Sequence, residues 1–201
     1  MSGYRRKKSV QPAFVPGKKI DLRVYNEETD LHEYYKWIND PAVTQYMDDI
    51  YPVTLDEARE RLRKLASPDM DNVIFFLQEK NSGGIPIGIT GLYDMDDVHR
   101  RARTRTMIGS VEHFSRGYGT ESKILLFWYA FYRINLHHIT SIVQAENIAS
   151  IKSLKRVGYK KEGILRQNTF FDGRWVNDII FGITKKDFRP VWEKYNESLK
   201  K

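Results

Sequence analysis

The sequence predicts an α+β domain built on a mixed sheet, and three features of its order carry that prediction. Two helical patterns come early, over residues 27–38 and from Thr54 onward. Period-two segments with hairpin signals between them follow, which calls for antiparallel pairing. Beyond residue 104 the order becomes strand, helix, strand, helix, and only a parallel crossover accommodates that.

Each element has a local reason. Residues 20–25 alternate apolar and polar side chains, as a half-buried strand does. Asn26 can cap a helix over residues 27–38, with Leu31, Tyr34, Tyr35 and Ile38 on one stripe, and Asn39-Asp40-Pro41 ends it. Thr54 opens the next helix; Glu57 completes a capping box, and Leu55, Ala58, Leu62 and Leu65 form the buried side. Residues 73–79 and 85–93 are strands joined through Asn81-Ser82-Gly83-Gly84. A strand over about residues 102–111, a buried helix over 122–131, a strand over 136–144 and a helix over 147–157 stopped by Gly158 make the crossover unit. Two long strands, about 159–170 and 174–184, meet at Asp172-Gly173, a type I′ pair, and a charged helix over 186–199 closes the chain.

Composition sets the bounds. At 201 residues, 41% hydrophobic and 29% charged, the chain suits one soluble domain. It has no cysteine, which excludes disulfides and thiolate metal sites. No apolar run approaches a membrane span and the N-terminus lacks an apolar signal core, so a cytoplasmic protein without a membrane partner is expected. The net charge of +7 divides unevenly: residues 1–19 carry six bases and no acid, leaving +1 for the rest. Residues 1–19 are expected to be a flexible basic tail and 20–201 the domain. A nearly neutral body gives no footprint for a specific nucleic acid.

The chemistry concentrates in two stretches. Between the 102–111 strand and the following helix lies Arg116-Gly117-Tyr118-Gly119-Thr120-Glu121. The glycines let the chain turn tightly, so that amides at a helix start converge on an anion, favoured by the helix dipole. Two such glycines serve equally as plain turn chemistry. No Gly-Lys-Ser or Gly-Lys-Thr follows, so this is not a P-loop, and a dinucleotide fingerprint needs a third glycine. Thirty residues on, Asn147 stands at a helix start with Ser150 one turn further, a pair that capping and surface polarity also explain.

Taken together with Trp37-Ile38-Asn39-Asp40, Gly158-Tyr159, Glu162-Gly163-Ile164-Leu165-Arg166, Asp172-Gly173 and Asp178, these stretches resemble the GNAT superfamily of N-acetyltransferases. Within it they resemble the RimJ/RimL-type branch that acetylates ribosomal-protein N-termini. The resemblance spans about residues 20–188. It implies a three-layer fold with about seven mostly antiparallel strands, flanked by helices and splayed in a V where acetyl-CoA enters. It also implies acetyl-CoA as cosubstrate, no metal, and a primary amine as acceptor, attacking the thioester directly. Ile108, Gly109, Ser110 and Val111 would pair with the pantetheine arm, and amides of residues 108–110 would meet the developing oxyanion. The amides of Arg116, Gly117, Tyr118, Gly119 and Thr120 would hold the diphosphate, Asn147 the arm, and Ser150 would protonate the leaving sulfur.

The resemblance has gaps. Phe114 stands where the family often has Gln or Arg, and Leu154 where many relatives have a general-acid tyrosine. Thr169 and Arg103 stand where relatives carry a general-base glutamate, which leaves Glu112 as a weak candidate. The acceptor pocket is expected from Trp37, Tyr46, Met47, His99, Arg100, Arg101, Phe171 and Trp175. Asp94, Asp96 and Asp97 would favour a polyamine or aminoglycoside; the neighbouring arginines would favour a phosphate-bearing amino sugar or an acidic peptide. The missing base leaves open a non-catalytic acyl-CoA-binding module, and the tail an RNA-associated protein. No sequence feature fixes a homodimer, though the apolar edge strands leave room for one.

Overall fold

A computed structural model describes residues 11–47, 51–67, 71–80 and 83–200. Arg5, Arg6, Lys7 and Lys8 of the expected tail and the Asn81-Ser82 part of the hairpin connection lie outside the described residues. Seven strands form one sheet: β1 (Ile20–Arg23), β2 (Val73–Glu79), β3 (Pro86–Asp96), β4 (Arg101–Ile108), β5 (His138–Gln144), β6 (Lys160–Phe171) and β7 (Arg174–Thr184). Their order is β1-β2-β3-β4-β5-β7-β6, and only β4 and β5 pair in parallel. The expected α+β architecture with its mixed, mostly antiparallel sheet is the observed one.

Helices cover both faces. α1 (Glu27–Ile38), α2 (Pro41–Thr44) and α3 (Leu55–Leu65) lie on one side; α4 (Tyr118–Trp128), α5 (Ile148–Arg156) and α6 (Lys185–Leu199) on the other. β2 shows why this makes two cores. Phe75 and Leu77 pack with Leu125, Phe127 and Phe188, while Ile74 and Phe76 pack with Leu31, Ile38, Ala58 and Leu62. Side chains alternate across a strand, so a sheet covered twice reads as an unbroken apolar run. α4 is buried nearly all round and continues into a π-helical turn, Tyr129–Arg133.

Several boundaries differ from the sequence reading for local reasons. Asn39 ends α1, and Asp40 at once caps α2, accepting from the Ala42 amide with Pro41 in the first turn. α4 starts at Tyr118 rather than 122, because Gly117 is its cap. β4 stops at Ile108, and Val111–His113 forms a short 3₁₀ turn capped by Ser110. Residues 14–19, assigned above to a flexible tail, are packed: Val15 is buried and bridges Leu22, Phe14 stacks on Phe75, and the amides of Lys18 and Lys19 donate to Glu121.

The feature that positions chemistry is the parting of β4 and β5. They pair at Arg101 with His138, Ala102 with Ile139 and Arg103 with Thr140, and no further. β4 continues along β3 to Ile108, whereas β5 follows β7 to Gln144. The Gly109 amide donates to Ile87 on the β3 side, so strand alternation turns the Ile108 amide toward the gap.

Candidate active site

The gap opens into a cavity of about 870 Å³, near the upper end of the range for small-molecule sites. Its rim is the glycine loop. Gly117 has φ 89°, a conformation that costs a residue with Cβ, and Ser115 shares it at φ 61°. From there the chain enters α4 with no side-chain cap. The amides of Thr120 and Glu121 return to the Gly117 carbonyl, while those of Tyr118 and Gly119 have no partner among the described residues. Two free amides and the positive end of a buried helix thus face the cavity, a fit for an anionic group such as a diphosphate.

Ile108, Gly117, Tyr118, Gly119, Thr120, Asn147 and Ser150 all line this one cavity. Four other expected cofactor residues do not contribute to its wall. Gly109 is backed by the Trp37 indole, which a Cβ would meet at 2.0 Å, and its amide is already spent on Ile87. Ser110 accepts from the Glu112 amide at 3.3 Å, Val111 turns out to solvent, and the Arg116 side chain is exposed. The Arg116 carbonyl accepts from Lys19 Nζ at 2.9 Å, which brings a cation from the packed N-terminal segment to the loop. Tyr118 gives the cavity only its backbone and ring edge, because its hydroxyl donates to the Glu79 carboxylate; that bond, with burial, raises the phenol above its ordinary range.

Across the gap, Asn147 caps α5 by accepting from the Ser150 amide at 3.0 Å, which leaves its Nδ2 for a ligand. The Ser150 hydroxyl has no partner among the described residues. Thr120 Oγ1 and Ser153 Oγ, 3.3 Å apart, tie α4 to α5.

The Thr169 position, where relatives carry a general-base glutamate, adjoins a buried carboxylate. Thr169 Oγ1 donates to Asp178 Oδ2 at 2.8 Å, and Asn168 Nδ2 donates to the same oxygen at 2.7 Å. Asp178 is 4% exposed, and its Oδ1 has no hydrogen-bond partner. It sits opposite Gln144 at the open end of β5. Val143 packs toward α4, so Gln144 and Asp178 turn to the other face of the sheet. Asp178 is the one carboxylate in the cavity wall among the described residues. Glu112 is exposed and outside it. The signal was present in the sequence, since a lone acid within a hydrophobic strand needs partners, but the β6 irregularity that brings Asn168 and Thr169 over it was not.

The expected acceptor pocket is corrected in part. Tyr46 and Met47 line the cavity, and Tyr46 stacks on Phe171 at 5.1 Å, joining the α2 loop to the last hairpin. Trp37 is core. Trp175 is 60% exposed and meets the Phe170 ring edge-on. His99, Arg100 and Arg101 lie at the closed end of β4, where Arg101 pairs with Asp96 at 3.1 Å. A second hollow of about 430 Å³ adjoins the first between α1, α3 and β4, lined by Tyr34, Tyr93, Arg61, Lys64, Arg103, Arg105 and Asp94. Asp94 pairs with Arg103 at 3.2 Å, and Arg61 and Arg105 are themselves engaged. Among the described residues the main cavity is lined by Arg103, Arg105, Lys123, Lys152 and Arg156 against Asp178, a surplus of bases that favours anionic ligands. No cluster of three metal-ligating side chains occurs among the described residues, and no described helix is long and apolar enough to cross a membrane.

Comparison with known proteins gives a consistent picture. Residues 19–160 match the family described as acetyltransferase (GNAT) domain. The chain is 29% identical over 174 residues to the N-acetyltransferase p20 of Bacillus licheniformis, covering 85% of this chain and 93% of that one. Its fold is similar to a spermidine N-acetyltransferase of Vibrio cholerae solved with CoA and spermine, at TM-score 0.75 and 22% identity over 85% of this chain and 98% of that one. It is equally similar to RimL, a ribosomal L7/L12 α-N-protein acetyltransferase solved with CoA, at TM-score 0.75 and 14% identity over 85% and 97%.

Proposed function

Because the chain belongs to the GNAT acetyltransferase family and is an N-acetyltransferase, we propose that it moves the acetyl group of acetyl-CoA onto a primary amine borne by an acidic molecule, foremost a protein N-terminus followed by acidic side chains. The observation that carries this reading is the divergence of β4 and β5 directly beneath the free amides of Tyr118 and Gly119. The loop and the α4 dipole hold the diphosphate, the gap-facing edge of β4 pairs with the pantetheine arm, and Asn147 Nδ2 steadies it. RimL, of similar fold, is an α-N-protein acetyltransferase, and the surplus of bases over acids among the described lining residues of the main cavity favours an acidic acceptor.

In this scheme each residue has one task. The Ile108 amide, which faces the gap, meets the carbonyl oxygen as it gains charge. The amine nitrogen bonds to the carbonyl carbon and the carbon–sulfur bond breaks. One proton leaves nitrogen for Asp178, one passes from Ser150 to the departing sulfur, and return of the Asp178 proton to the Ser150 oxygen through solvent resets both groups. The balance is amine plus thioester to amide plus free thiol.

The test is release of CoA thiol with a panel of acceptors: an acidic N-terminal peptide, its basic counterpart, an amino sugar phosphate and spermidine. Turnover highest with the acidic peptide is expected. Absence of CoA release with every acceptor would overturn the transferase reading. Spermidine as the best acceptor would instead favour a second reading, motivated by the polyamine relatives.

A further inference from the structure

We propose that Lys123 is a buried counter-charge for the diphosphate of the acyl donor, a role that rests on the acyl-CoA reading above. Lys123 stands on α4 one turn beyond Gly119, and a helical side chain leans back toward the helix N-terminus. Its ammonium therefore rises beneath the glycine loop. Nζ donates to the Gly119 carbonyl at 3.0 Å and lies 3.9 Å from where a Gly119 Cβ would stand, with Ile108 equally near that point across the gap. The residue lines the cavity yet is only 7% exposed.

What this ammonium lacks is an anion. Glu121, its neighbour on α4, is turned to the amides of Lys18 and Lys19 and the Tyr195 hydroxyl. Glu79 takes the Tyr118 hydroxyl. The other titratable groups around this end of the cavity are His113 on the loop and Lys152 and Arg156 on α5, with Lys19 and Arg116 at the rim. None is acidic, and among the described residues no carboxylate pairs with Lys123. A charge held out of water with one neutral acceptor is disfavoured, and burial alone pushes the Lys123 ammonium down to about 8. Its two remaining N–H donors have no acceptor among the described residues. An anion seated on the Tyr118 and Gly119 amides would sit directly above them. Binding would then restore full protonation, so the protein takes up a proton as the donor arrives near pH 8.

The experiment uses calorimetry on the full chain with two probes, acetyl-CoA and S-acetylpantetheine, which lacks the diphosphate. For Lys123→Met the expected result is acetyl-CoA affinity weakened about ten- to hundredfold, as for loss of a charge-assisted hydrogen bond, with S-acetylpantetheine unaffected. Wild type titrated at pH 8 in two buffers of different ionisation enthalpy should show proton uptake with acetyl-CoA, and the variant none. That uptake needs no variant, so the proposal stays testable even if Lys123→Met folds poorly. It is overturned if the variant binds acetyl-CoA within twofold of wild type, if both probes weaken alike, or if wild type shows no uptake. Wild type that binds neither probe would instead defeat the acyl-CoA reading itself.

Discussion

Asn147 and Ser150 divide the start of α5 between structure and chemistry. Asn147 Oδ1 holds the Ser150 amide, so the cap does not depend on the Ser150 hydroxyl. Ser150→Ala should therefore keep its thermal midpoint and its acetyl-CoA affinity while kcat falls by about a hundredfold or more, the range for losing a positioned acid. A kcat within threefold of wild type in a thiol-release assay would remove Ser150 from the mechanism. Asp178→Asn should leave acetyl-CoA binding intact while kcat falls by about a hundredfold or more, the range for losing a positioned proton acceptor. A kcat within threefold of wild type would show that Asp178 takes no proton. At this scale caps were legible in the sequence, because a side-chain oxygen before a helix has few other uses. Partners across the sheet were not: nothing in residues 167–178 announces that Asn168 and Thr169 converge on one carboxylate oxygen.

Elements are joined by two charged links of different kinds. Arg23 on β1 and Asp30 on α1 form a fully buried bidentate pair at 2.6 and 2.7 Å, with Gln78 and the Asn26 amide satisfying the remaining atoms. Removing one partner strands a buried charge, so Asp30→Ala should cost about 3–5 kcal/mol in urea unfolding. Arg23→Met with Asp30→Leu should recover most of that loss, and equal losses for the single and double variants would contradict the account. The second link fastens α6 to β6. Lys160 and the Thr184 hydroxyl hold the Asp187 carboxyl down to about 2. A carboxylate depressed in the folded state stabilises above its ordinary range near 4, and that contribution drains away as pH falls toward 2. Asp187→Asn should flatten the decline in stability between those values, and an unchanged acid-unfolding profile would show the link to be inert. The helices and strands themselves were largely legible, as capping boxes, glycine stops and the Asp172-Gly173 turn act locally. The start of α4 was missed because Tyr118, Gly119 and Thr120 read as loop, and only Gly117 at positive φ lets a helix begin there. α2 was missed because the residues that end α1 also begin it.

For the whole molecule, function comes from a sheet that fails to close. β1 to β4 and β5 to β7 are each continuous antiparallel sheets, and three residue pairs fasten them at one end. The other end stays open because β4 keeps to β3 as far as Ile108 while β5 keeps to β7 as far as Gln144. That opening was expected only through the resemblance; composition and periodicity contain nothing that distinguishes a splayed pair from a closed one. The basic lining was half legible: the arginines of residues 100–105 stood out and alternation puts Arg101, Arg103 and Arg105 on one face of β4, but Arg103 and Arg105 reach the cavity wall while Arg101 stays at the closed end with Asp96. The most direct test of the central claim is calorimetric titration of the full chain with acetyl-CoA, alongside Gly117→Val. The account predicts one binding site in wild type and loss of most of its affinity in the variant, with the circular dichroism of the fold retained. No heat of binding in wild type, or equal affinity in a folded Gly117→Val, would contradict it.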